Sequence, residues 1–97
     1  MNKQTNDKLI REENRECDGY AYSYKLIERK GRRMVDFGMK LYSINVSMTD
    51  ERGVTKTEEA RDVFSSKRKA VEFFDKIVRN LATPIDLKYV VEDEITV

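Results

Sequence analysis

From Tyr20 the chain alternates with a period of two. Tyr20, Tyr22, Tyr24 and Leu26 fall on one side, Ala21, Ser23, Lys25 and Ile27 on the other. Aromatic residues at this spacing predict a strand. Lys30-Gly31-Arg32 follows as a short hairpin loop in which Gly31 can adopt positive φ. A second extended run covers Met34 to Met48. Val35, Phe37, Met39 and Leu41 alternate there, then Tyr42, Ile44, Val46 and Met48 alternate in the opposite phase. A slip of one residue is what a β-bulge produces, and a kink at Gly38 is the other reading. Thr49 to Gly53 is a turn. Val54 to Val63 is a third, very polar extended run, and it reads as an edge strand guarded by Lys56, Glu58, Glu59 and Arg61.

The period then changes to 3.6. Ser65 or Ser66 caps a helix whose apolar stripe is Ala70, Phe73, Phe74, Ile77, Val78 and Leu81. Ala82-Thr83-Pro84 interrupts the stripe. Thr83 is a good N-cap, Pro84 suits the first helical position, and Asp86 complements the helix dipole. Leu87, Val90, Val91 and Ile95 form a second stripe. Before all this, residues 1–18 are polar, with Leu9 and Ile10 as an isolated apolar pair and Asp18-Gly19 as a closing turn. The expected architecture is a flexible polar leader over 1–18, with a helical turn around Lys8–Glu16, then a single α+β domain over 19–97. Its three-stranded antiparallel sheet is followed by a two-helix hairpin packed on one face.

Composition narrows the chemistry. The 97 residues include no His and one Cys, and 19 basic groups face 18 acidic ones for a net charge of +1. Without His there is no imidazole ligand, proton shuttle or His-activated nucleophile, and one Cys makes neither an internal disulfide nor a zinc cluster. Glu16 and Asp18 beside Cys17 work against a thiolate. Charges of both signs are mixed along the chain, with no basic arm or acidic tail. No apolar run reaches membrane-spanning length and no secretory h-region opens the chain, so the expected setting is the cytoplasm.

Phe37-Gly38, Asp62-Val63-Phe64-Ser65 and, above all, Thr83-Pro84-Ile85-Asp86-Leu87 with Val90-Val91-Glu92-Asp93 carry a resemblance. Over Tyr20 to Ile95 the chain resembles a family of short bacterial proteins of unknown function. The resemblance implies a fold and a bacterial cytoplasmic setting, and it implies no catalytic residue. Similar proteins often have His where Asp86 stands, so no role is carried over to that position.

Two clusters are candidate surfaces. Lys67, Arg68 and Lys69 lie in the first helical turn, where cations oppose the dipole. They read as an anion site, as solvated charges, or as partners of Glu92, Asp93 and Glu94, which break the same rule at the end of the second helix. Tyr20, Tyr22 and Tyr24, with Arg32 and Arg33 on the following loop, form a candidate interaction surface. Placed on an uncovered sheet face, the tyrosines would meet a partner protein or a second copy. The alternative is a nucleic-acid-binding hairpin that stacks bases on Tyr22 and Tyr24. In its favour, Phe64-Ser65-Ser66-Lys67 is similar to the segment entering the helix of phage integrase arm-binding domains. The carboxylates Glu58, Glu59 and Glu92 to Glu94 do not converge and read as solvated. The expected function is a non-catalytic protein-interaction or regulatory module, not an enzyme, without cofactor or metal and without a membrane partner. It would use the sheet face or edge, and a homodimer is one form of it.

Overall fold

The structure is a computed structural model that describes residues 7–31 and 38–95. Its elements are β1 (Lys8–Cys17), β2 (Tyr20–Lys30), β3 (Lys40–Thr49), β4 (Thr55–Phe64), α1 (Lys67–Arg79) and α2 (Pro84–Ile95). The four strands pair in chain order, each antiparallel to the next, so β1 and β4 are the edges.

The α+β class and the two helices after the sheet agree with the sequence reading, but the sheet has four strands rather than three. The extra strand is β1, within the segment expected to be a flexible leader, and it replaces the helical turn expected around Lys8–Glu16. Its physical cause is the turn that ends it. Asp18 and Gly19 both take positive φ (52° and 84°), and Cys17 pairs with Tyr20 across them. Two left-handed residues form a turn whose twist matches a hairpin, so the turn folds the preceding residues back onto β2. β1 has a strand neighbour on one side only, and most of it is exposed, which explains its polar composition.

The run predicted from Met34 becomes a strand at Lys40. Met34 to Phe37 lie outside the described residues, as do Arg32 and Arg33. The β2–β3 register is unbroken from Ala21↔Thr49 to Lys30↔Lys40, so the phase change at Leu41 and Tyr42 is not a bulge in β3. Neighbouring residues there are buried on opposite faces of the sheet. The irregularity belongs to β4. Tyr42 pairs with Phe64 and Ile44 with Ala60, which leaves Arg61 to Val63 opposite Ser43. Asp62 takes φ of 53° within this bulge. Its backbone N–H donates to Ser43 Oγ at 2.8 Å, and that hydroxyl donates to Asp62 Oδ1 at 3.3 Å, so the fully buried Ser43 is satisfied.

One face of the sheet carries the core. Tyr24, Leu26, Tyr42, Ile44, Val46 and Phe64 pack against Ala70, Phe73, Phe74, Ile77, Val78, Leu87 and Val91. Phe64 and Phe73 meet with ring centroids 5.2 Å apart at 47°. Ser66 caps α1 by accepting from Lys69 N. α1 stops at Arg79, so Leu81 lies beyond it rather than on its stripe. Leu81 has φ of 50° and donates to Val78 O, while Ala82 N donates to Ile77 O. This pair of bonds satisfies the last carbonyls of the helix. Thr83 and Asp86 then exchange bonds, Thr83 Oγ1 accepting from Asp86 N and Asp86 Oδ2 from Thr83 N. That reciprocal cap starts α2 at Pro84, where the sequence places it. Among the described residues no helix is long and apolar enough to cross a membrane.

Candidate interaction surface

Strand alternation decides where the tyrosines go. Tyr24 opposes Val46 and Tyr22 opposes Met48, so the stripe shares the face of Val46 and Ile44, which the helices cover. The premise of an aromatic uncovered face is corrected. Tyr24 is fully buried and its hydroxyl donates to Ala82 O at 2.9 Å, tying β2 to the link between the helices. Burial, reinforced by Tyr22 nearby, pushes its phenol from 10.0 up to about 12. Tyr22 is half-buried and stacks on Tyr24 with centroids 6.3 Å apart. Only Tyr20, 40% exposed at the end of the strand, meets solvent substantially. The far face of the sheet is largely polar, with Ser47 bonded to Thr57 and Thr49 to Thr55. A hairpin surface that stacks bases therefore does not have Tyr24 available, and its Arg32 and Arg33 lie outside the described residues.

The start of α1 and the end of α2 come together. Arg68 pairs with Glu72 within α1 at 3.1 Å, and Glu94 pairs with Lys76, two turns beyond Lys69, at 3.5 Å. Arg68 and Lys69 do share a cavity with Glu72 and Glu94. These carboxylates offset the positive field that an anion would need at the start of α1.

A second charge cluster occupies the far face. Arg29 approaches Asp7 at 3.8 Å, Glu59 at 3.4 Å and Asp62 at 3.3 Å. Its Nε faces Asp62 without hydrogen-bond alignment, so that contact is coulombic only. The guanidinium binds the bulged part of β4 to β2.

A groove with an apolar lining lies at the β4 edge. β4 is an outer strand, and α2 lies along it. Between them is a groove of about 280 Å³ lined by Glu58, Glu59, Ala60, Val63, Leu87, Lys88, Val91 and Glu92. Ala60, Val63, Leu87 and Val91 supply apolar lining, and the charged residues form a rim with three acids and one base. Ile85 and Tyr89 stand exposed on α2, at 68% and 65%. Ile85 precedes Lys88 and Glu92 by three and seven positions, so helical spacing puts it on the groove-side flank. Sequence reasoning identified β4 as an edge but missed the groove. The signal was α2 itself, which carries Ile85 and Tyr89 in addition to its inward stripe of Leu87 and Val91. A helix apolar on more than one side has more to cover than its own core.

These elements define a small α+β protein with a four-stranded antiparallel meander, helices on one face, and an open strand-and-helix flank. The chain belongs to DUF6514, a family of unknown function, whose model matches residues 3–97. No curated protein and no solved structure matches it.

Proposed function

We propose that the protein is a non-catalytic interaction module that takes up an extended segment along β4. The observation that carries this reading is the apolar groove between the outer strand and α2. An outer strand offers unpaired backbone N–H and C=O groups, and a flanking helix offers side-chain pockets at alternate positions. Glu58 on the groove rim favours a segment with Lys or Arg near an apolar anchor. The chain's lack of His and its single Cys support a binding role over a catalytic one. The polar far face and the buried Tyr24 favour the edge over the sheet face as the docking surface.

The test is selection of binders from a displayed library of extended peptides on the immobilised full chain. The expected outcome is a set of basic peptides with one or two apolar residues at alternate positions, whose binding falls on Glu58→Lys. A selection that yields no binder, or binders indifferent to Glu58→Lys and to charge reversal of Lys88, overturns the reading.

A further inference from the structure

We infer that one occupant of the β4 edge is the β4 edge of a second copy, in an antiparallel pair centred on Thr57. This rests on the reading of β4 as a docking edge. Directly opposed residues in an antiparallel pair point to the same face. A two-fold axis joining two copies of one strand must therefore pass through a residue, with the helices of both copies on the same side. The regular part of β4 ends at the bulge around Asp62, so the usable stretch is Thr55 to Ala60.

Within that stretch the register is decided by charge. An axis at Lys56 sets Lys56 against its own copy. An axis at Glu58 sets Glu58 against its own copy, and adjacent like charges across strands are unfavourable. An axis at Thr57 sets Thr57 against Thr57, and Lys56 against Glu58 twice. It also brings Val54, half exposed and immediately ahead of β4, opposite Ala60, which lines the groove. This is the one of the three registers that is complementary in charge and covers an exposed apolar side chain. β1 is less suited, because its register with β2 is broken between Leu9 and Arg11, and within the regular stretch from Arg11 to Cys17 pairing about Asn14 sets Glu12 against Glu16. The product is an eight-stranded sheet in which each edge hides the other, a recognised way for a protein to occupy an exposed strand edge.

The experiment is sedimentation velocity on the full chain up to about 1 mM, with Lys56→Glu, Glu58→Lys and the double swap. The side chains altered are exposed, so folding is not at issue. The wild type is expected to dimerise. Each single reversal places like charges opposite each other twice and weakens the dimer about tenfold, and the swap restores it. A chain that stays monomeric throughout overturns self-pairing, as does a dimer indifferent to the single reversals or not rescued by the swap. Adding a selected peptide separates the two claims. Peptide bound to a monomeric chain at β4 overturns the dimer and keeps the module. Peptide that competes with dimerisation supports both.

Discussion

Replacing Tyr24 with Phe removes one atom from the centre of the molecule. The ring stays, so packing against Leu26, Ile44 and the helices is preserved, but the 2.9 Å bond to Ala82 O is lost. Ala82 is buried, so its carbonyl loses this donor where water does not readily replace it. Leaving a buried acceptor unmatched costs about 1–3 kcal/mol. For a chain of this size each kcal/mol lowers Tm by roughly 4–8 °C. Burial of the same hydroxyl, reinforced by Tyr22, predicts an alkaline signature. The folded-state phenol sits at about 12 against 10.0 for an unperturbed tyrosine, so folding favours the protonated form. The contribution is present in full below pH 10 and is lost as pH rises from 10 through about 12. Its ceiling is roughly 3 kcal/mol, reduced in so far as water screens the phenolate. Tyr42, raised by burial and by the Glu28 carboxylate that accepts its hydroxyl, adds to the same slope. Urea unfolding at pH 8 and at pH 11 measures both effects. Tyr24→Phe should be less stable at pH 8 and lose less on going to pH 11. A variant within about 0.3 kcal/mol of wild type at pH 8, or with an unchanged alkaline loss, refutes the role assigned to the hydroxyl.

Three further substitutions report on other parts of the frame. Thr83→Ala removes one half of the reciprocal cap on α2 and should cost about 0.5–2 kcal/mol in urea unfolding, with m unchanged. Ser43→Ala leaves Asp62 N–H without its 2.8 Å acceptor inside the β4 bulge; a loss of about 1–3 kcal/mol is expected, with faster amide exchange at Asp62. Ile44→Ala opens a cavity at a fully buried position and should cost about 2–5 kcal/mol in the same assay.

Much of this fold is legible in the residues, and the parts that are not share a cause. The helices are legible because each has its own punctuation: Ser66 at one start, Thr83-Pro84 with Asp86 at the other. β2 and β3 are legible because their core faces alternate cleanly. β1 is hidden because an outer strand that is mostly exposed has little apolar pattern to show. The Asp18-Gly19 turn was the available signal, since two left-handed residues at that spacing join strands. The tyrosine stripe is visible as a face, but alternation alone does not say which face of a sheet the helices will cover. The β4 bulge is invisible because it depends on a long-range bond between Ser43 and Asp62. Leu81 extends a helical pattern in sequence, yet the chain turns there through a left-handed conformation usually left to glycine. The groove follows from the same limit, since it exists only when β4 and α2 are brought side by side.

The most direct test of β4 as a docking edge is an amide-resolved NMR map of the full chain with and without a selected basic peptide. Shifts are expected to concentrate at Thr55–Ala60 of β4 and at Leu87–Glu92 of α2, with β1 and the Asp18-Gly19 turn unchanged. Shifts centred on Tyr20 and the β1–β2 turn, or on the polar face around Ser23, Asn45 and Ser47 without α2, would contradict this reading.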